Sequence, residues 1–583
     1  MIEPTAGSAT TRRSLPTSRG LVVALVALLA VAIGAVAGSF LMTGRATGMG
    51  AGASYVPADV AMYFELRAIP SADQDAALRE FLAHFPVTGL DADRPLIDQV
   101  ADRLDEALSD GDLPFSYEED VAPWWDGRVA MAVTDYPSMT ESMSGAMPGF
   151  TVLFGVTDAA AAGATADRLR AEAESEGAAF SSTEHRGTTV WSFSDAAQPF
   201  AYALAADQLI LGASLVDVQE ALDVRSGEGD ALAASEEVQR LAFRLPDDYI
   251  AFGFTSVEAI IETAEEDLAA LAPEMAGLYE ALLAGQPKMG LMAVTMTADR
   301  MTFSGVGDAP TGAFAAENHD RGLASAVPGD ALVYVDGGNV GTRLSKLVEA
   351  AKSAANEVPE AAEQLAQIEA ALGAELEELV EWIGDAALVI GSDGSEPYAG
   401  LVITPTDADA AQRRLDQLST LAGLAAFDGS TDVTVTEETV AGATVTTIEL
   451  AVPDPFGGFG MPMAPETGIA LQYTLGDDRV LIGLGEFVER SLLLEAGTSL
   501  ADDERFRGAV ESVGGFTNAG TAWLNLAGTR ETIETAVGLM LPPGMMAGYE
   551  TDVQPWLLPL DYLVGVSMLD GEAFVQDGAL VVR

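Results

Sequence analysis

The chain has no cysteine, which excludes disulfides, thiolate nucleophiles and zinc–thiolate sites together. An exported protein of this composition is held by its cores alone. Lysine is nearly missing: Lys288, Lys346 and Lys352 are the three occurrences in 583 residues. Histidine is as scarce. His84, His185 and His319 stand at no metal-ligand spacing to one another, and no HExxH occurs. There is no GxSxG elbow, and no serine stands three residues before a lysine, so the SxxK nucleophile is excluded. No Gly-Lys pair exists, hence no Walker A loop, and no GxGxxG follows a strand pattern.

Positive charge is the other shortage. The 29 basic side chains face 89 acidic ones, a formal net charge of −60. Residues 1–44 carry Arg12, Arg13 and Arg19 against Glu3, so the remainder holds −62. Such a surface repels phosphate backbones and anionic headgroups, which argues against nucleic acid as a partner. It suits high salt, where screening shortens the repulsion. Hydrophobic residues make up 49% and charged residues 20%, a globular balance. A single core stops growing near about 250–300 residues, so this length predicts two large domains.

Gly20–Met42 is an uncharged apolar run of 23 residues. As a helix it spans about 35 Å, enough for a hydrocarbon core of about 30 Å. The arginines precede it and the acidic mass follows, so residues 1–19 are expected in the cytoplasm and the bulk outside. A cleaved signal peptide ending near Ala35-Val36-Ala37 is the competing reading. Residues 43–54, rich in Gly and Ala, read as a flexible tether.

The rest reads as one unit written twice. Tyr55–Leu66, YVPADVAMYFEL, returns as Ala326–Gly337, AVPGDALVYVDG, at an offset of 271. An amphipathic helix follows each phrase, through Leu78, Phe81, Leu82 and Phe85 or through Val340, Leu344, Leu347, Val348 and Ala351. A Trp-centred turn then feeds a strand at Trp124-Trp125-Asp126-Gly127 and at Trp382-Ile383-Gly384-Asp385. Further on, Asp158 and Asp407 stand where a helix should start. The β-branched hairpins from Gly187 and Gly442 correspond, as do Tyr202–Gly212 and Tyr473–Gly483. Extra loops at Asp135–Gly149 and Asp454–Glu466 account for the changing offset. The predicted fold is α+β: two tandem copies of a mixed, mostly antiparallel sheet with helices packed on one face, after one transmembrane helix. The copies are 55–307 and 326–583, joined by an exposed linker at 308–325, with a groove between them.

The phrases YVPADVAMYFEL, DQDAALREFLAHFP and YEEDVAPWWDGRVAMAV together resemble a bacterial domain-of-unknown-function family, number 3352 in that series. The likeness runs from about Tyr55 onward and is most specific at Asp120-Val121-x-Pro123-Trp124. Trp125-Asp126-Gly127 departs from the family's Pro-Trp-Leu-Gly-Asp pattern, whereas Ile383-Gly384-Asp385 keeps its end. The resemblance implies a membrane-attached, exported bacterial protein and brings no catalytic residue with it.

Candidate chemistry is sparse. Acidic runs such as Glu118-Glu119-Asp120 arise by chance among so many carboxylates, and none shows a calcium-loop pattern. Methionines gather at Met139, Met143 and Met147 and at Met461 and Met463 without a histidine or cysteine beside them, so adaptable packing is the simpler reading than copper. No metal site and no cofactor is predicted. Trp124, Trp125 and Trp382 read first as core anchors, with carbohydrate or peptide stacking as the alternative. The candidate binding set is therefore Trp124, Trp125, Asp126, Asp120, Trp382 and Asp385. The expected function is non-enzymatic binding or scaffolding by a single-pass cell-membrane protein. Its expected partners are the bilayer, through residues 20–42, and an envelope protein or polymer. The alternative is a carboxylate-based hydrolase acting on envelope polymer in the inter-copy groove.

Overall fold

A computed structural model describes residues 49–583 except 86–90, 92, 111–115, 136–147, 176, 194–199, 262–284, 357–358, 394–395, 429–432, 451–468, 477 and 541–542. The apolar run at 20–42 and most of the two extra loops lie outside the described residues. Among the described residues no helix is long and apolar enough to cross a membrane.

The strands are β1 (Met62–Arg67), β2 (Trp125–Asp135), β3 (Gly149–Val156), β4 (Phe180–His185), β5 (Thr188–Phe193), β6 (Phe200–Leu204), β7 (Gln208–Gly212), β8 (Ala251–Ser256), β9 (Met289–Thr297) and β10 (Arg300–Asp308). They continue with β11 (Ala331–Gly337), β12 (Ile383–Ser392), β13 (Pro397–Pro405), β14 (Val433–Val440), β15 (Ala443–Leu450), β16 (Ile469–Leu475), β17 (Val480–Leu484), β18 (Gly520–Leu524), β19 (Leu560–Asp570) and β20 (Ala573–Val582). All pair antiparallel in one sheet, in the order β4-β5-β6-β7-β3-β2-β1-β8-β9-β10-β20-β19-β18-β11-β12-β13-β17-β16-β15-β14. Both edges end in polar strands, β4 with Glu184 and His185 and β14 with Glu437 and Glu438, which blunts edge-to-edge association.

The hairpins at the two edges use the same turn. Arg186 and Gly187 (φ 51° and 76°) close β4–β5, and Ala441 and Gly442 (φ 51° and 91°) close β14–β15. Two consecutive positive φ values define the type I′ turn, whose twist matches that of the flanking strands.

Helices cover both faces of the sheet, not one. On one face lie α1 (Ala72–Ala83) and α2 (Ala159–Ser175); the opposite face takes α3 (Leu215–Ser226) and α4 (Glu236–Ala242). Later in the chain, α5 (Val340–Asn356) packs on β12, and α6 (Ala408–Asp428) covers the first of these faces. The helices α7 (Phe487–Leu492) and α8 (Glu504–Ser512) cover the second face, and α9 (Gln554–Leu557) leads into β19. The expectation of one-faced cover fails for a visible reason. A strand such as TVLFGV is an apolar run with helices over both its faces, whereas a strand wet on one side alternates.

Among the described residues no cleft separates the segments 55–307 and 326–583 where they meet. β10 and β20 pair directly from Arg300↔Val581 to Asp308↔Ala573. One core cluster draws Phe81, Phe85 and Val294 from the earlier segment and Leu560, Leu580 and Val582 from the later one. Phe85 of the stretch after α1 meets Trp556 of α9, ring centroids 6.3 Å apart.

Two readings of connecting sequence are corrected as well. The last residues of the 43–54 tether are packed: Gly52 and Ala53 are buried, and a Cβ on Gly50 would fall on the Glu65 carboxylate. The small residues there serve close approach rather than flexibility. The 308–325 linker keeps Thr311, Glu317 and Asp320 exposed but is tied down at its end, where the Arg321 side chain is 2% exposed and Leu323 and Ala324 lie in the core.

Candidate functional site

The Trp-centred turns are built inward. Ser116 caps the short helix Tyr117–Asp120, and buried Asp120 accepts the Ser116 N–H at 2.9 Å and pairs with Arg168 of α2. Trp124 is buried, and its Nε1–H donates to the Asp120 carbonyl at 2.6 Å. Trp125 is half-buried; it donates to the Arg128 carbonyl at 2.8 Å and stands edge-on to Tyr117. Asp126 Oδ1 accepts the Arg128 N–H at 2.8 Å. Trp382 is buried against Ala411 and Leu415 of α6 and donates to the Leu379 carbonyl at 2.8 Å. Asp385 accepts from His319 at 2.6 Å and from the Asn339 N–H at 3.3 Å. Trp124 and Trp382 thus have their rings in core and their single donors satisfied, and the six residues do not converge on one cavity.

Two carboxylates on the central strands are buried instead. In the first aligned phrase, Glu65 accepts from Gly50 N–H (2.8 Å), Tyr63 (2.9 Å) and Tyr249 (2.8 Å). In the second, Asp336 accepts from Tyr334 (2.6 Å) and Thr521 N–H (3.0 Å) and faces the Arg321 guanidinium at 3.3 Å. Burial and the adjacent carboxylates push the Tyr63, Tyr249 and Tyr334 hydroxyls well above the usual phenol range. Burial also raises Asp336 above the usual carboxylate range, against the pull of Tyr334 and Arg321. Each carboxylate fastens the segment entering its phrase, through Gly50 or Arg321, to the strand. That is a structural clasp with every oxygen spoken for, not a free acid facing a substrate.

Among the described residues no group of His, Asp and Glu is arranged to hold a metal ion. An open cavity of about 550 Å³ lies between Pro328–Asp330 and α7, lined by Glu486, Glu489 and Glu495. Its Arg490 is already paired with Asp330 at 2.5 Å, and Asp330 also accepts from Tyr398 at 2.6 Å.

The feature that composition leaves unexplained is a bare stretch of sheet. Seven adjacent strands place Gly578, Gly565, Ala522, Val335, Leu388, Leu401 and Ile482 in one cross-strand row. The next row on the same face is Leu580, Leu563, Leu524, Val333, Ile390, Ala399 and Leu484. None of these is charged or polar. Val335, Leu388, Ile390, Leu401, Leu484 and Leu563 are 37–45% exposed. The alternate residues Tyr334, Val389, Val402, Leu481, Trp523 and Val564 sit in the core on the other face. Leu580 at one end packs against the α1 cluster and Ile482 at the other against the α6 cluster. The exposed part therefore runs from Leu563 of β19 to Leu484 of β17, five strand spacings of about 4.8 Å or about 24 Å, and its two rows cover about 330 Å². That is the size of the largest apolar patch on an ordinary monomer, and such patches are often functional. The corresponding rows of the earlier strands, with Phe154, Val129, Val294 and Phe303, are covered by α1 and α2.

Sequence reasoning passed over this strip. The available signal was the absence of alternation in AALVIG and AGLVIT, which announces two apolar faces but not which of them a helix will cover.

Comparison with known proteins adds a family and no chemistry. The profile of a family described as "Protein of unknown function (DUF3352)" matches residues 20–557. No curated protein matches. A solved structure titled "Structure of crystal form IV of TP0453" is 13% identical, over 44% of this chain and 92% of that one, with a TM-score of 0.18. A likeness that slight supports no argument.

Proposed function

Because the chain belongs to the DUF3352 family of proteins of unknown function, whose description carries no reaction, we propose that it is a non-enzymatic binding or scaffolding protein. In this reading it is anchored in the cell membrane through residues 20–42, with the N-terminus cytoplasmic and a duplicated αβ module outside. The strand order supports duplication. Tyr63 lies on β1 between β2 and β8, and Tyr334 on β11 between β12 and β18, so each position has its counterpart ten strands on.

The observation that carries the binding reading is the exposed apolar strip around Leu388 and Leu401. A hydrolase instead needs two facing carboxylates free to reach a substrate. The nearest candidates, Asp336 and Asp385, are engaged by Tyr334, Arg321 and Thr521 and by His319.

Crosslinking and affinity purification from native membranes test the proposal. A partner crosslinked near Leu388 supports it, and turnover of an envelope polymer by the purified chain overturns it. Protease added to intact spheroplasts tests the orientation: digestion of the bulk is expected, and its protection would reverse the topology.

A further inference from the structure

Resting on the binding reading above, we infer that the exposed strip is the seat of a basic amphipathic helix from a partner protein. The strip itself limits the occupant. Its side chains offer no hydrogen-bond donor or acceptor, and its backbone groups are consumed in ladder pairing on both sides of each strand. A sugar, a nucleotide or an extended peptide would bury polar groups there without partners. A helix satisfies its own backbone and presents only side chains.

The same face already takes such a helix elsewhere in the chain. Leu78, Phe81 and Leu82 of α1, with Phe85 beyond it, lie at i, i+3, i+4 and i+7 over Val294, Phe303 and Leu580. Leu580 also begins the second row, so the exposed strip continues from the seat of α1 along the sheet. Its exposed length of about 24 Å matches about 16 helical residues at 1.5 Å each.

Area and charge decide against a second copy. About 330 Å² is less than half of what each partner buries in a standard interface, and two surfaces carrying −62 repel. Charge also fixes the character of the visitor. The strand ends bordering the strip carry exposed Asp393, Glu396 and Glu486, so the polar face of the helix is Lys/Arg-rich.

Because the chain lacks cysteine, Ala522→Cys gives a single labelling site inside the strip and Val216→Cys a control on the exposed side of α3. The full chain in phosphatidylcholine nanodiscs, labelled with a solvatochromic dye, is titrated with a synthetic amphipathic Leu/Lys peptide of about 16 residues and with its Leu/Glu counterpart. The expected result is a saturable blue shift at position 522 and none at 216. The Glu peptide should bind at least tenfold more weakly, and Leu401→Glu should lose at least tenfold in affinity for the Lys peptide. Leu388→Thr, checked by circular dichroism, replaces Leu401→Glu should that variant unfold. Equal binding of both peptides overturns the basic-helix inference. So does a shift produced only by fatty-acid vesicles or by self-association, and both of these outcomes leave the binding reading intact. No shift with any probe, together with no crosslinked partner at this position in native membranes, overturns both.

Discussion

Glu65 offers the sharpest test of how the domain is held together. It is 3% exposed and receives three hydrogen bonds, from the Gly50 N–H and the hydroxyls of Tyr63 and Tyr249. Arg67 stacks on the Tyr249 ring at 3.5 Å and adds a distant ion pair at 3.8 Å. Glu65→Ala strands three buried donors, each at a cost of about 1–3 kcal/mol, so the loss is about 3–9 kcal/mol. Glu65→Gln keeps an acceptor for one or two donors but turns an NH₂ toward the rest, a loss of about 2–4 kcal/mol. Against a total stability of about 5–15 kcal/mol, even the second is large. The measurement is the urea midpoint followed by tryptophan fluorescence, with unchanged slope to confirm that stability alone has moved. A second readout is local: with Gly50 released, limited proteolysis should cut at residues 45–54 faster than in the parent chain. If Glu65→Gln shifts stability by less than about 0.5 kcal/mol and proteolysis is unchanged, the clasp is not what fastens the entry segment.

The remaining predictions concern other parts of the core. Trp382→Ala removes a buried ring from the α6 cluster and should cost about 3–5 kcal/mol in a denaturation experiment, with a loss below about 1 kcal/mol refuting the anchor role. Gly400→Ala drives a Cβ into the Phe487 ring, itself stacked on Tyr398, and should cost about 1–3 kcal/mol by overpacking. Tyr55 is pushed up to about 12 by burial and its bond to Asp207, and Tyr63, Tyr249, Tyr334 and Tyr398 are raised with it. The folded state favours their protonated forms, so this stability is fully present below the ordinary phenol range near pH 10 and is lost as pH climbs through the folded values. Absorbance at about 295 nm should therefore show these phenols ionising only with alkaline unfolding, and smooth titration near pH 10 in the folded protein would refute the burial argument.

What the sequence made legible was local chemistry with a short reach. Asp158 caps α2 through the Ala160 and Ala161 N–H groups, and Asp407 caps α6 through Ala410. The paired phrases at Tyr63 and Tyr334 do fall on β1 and β11. What stayed hidden depends on tertiary approach. Gly50 and Gly52 have the composition of a tether, and only the closeness of Glu65 and Tyr63 reveals them as packing positions. His319 and Arg321 lie in a stretch that reads as exposed, because the partners that bury it, Asp336, Asp385 and Asn518, come from distant strands. The candidate tryptophans, read first as core anchors, stand at turns feeding strands; Trp124 and Trp382 do bury their rings, whereas Trp125 is left half-buried.

The helix that follows β11 is seated differently from the one that follows β1, and that seat can itself be perturbed. The stripes of α1 and α5 are spaced alike, yet α1 lies over β9 while α5 is drawn to β12 and to the helix Pro359–Leu372. Two small residues allow the second seat: Ala350 and Ala354 are buried where α5 approaches its neighbours. A third, Gly341, fits where a Cβ would fall on the carbonyls of Val380 and Ile383. Since the φ of Gly341 is ordinary, the constraint is approach rather than backbone strain. Gly341→Ala must therefore lift the first turn of α5 from the start of β12, at about 1–3 kcal/mol. Hydrogen exchange should quicken in residues 340–356 while the amides of β1 and β8 stay protected. If exchange in α5 is unchanged, its placement is not set by this contact.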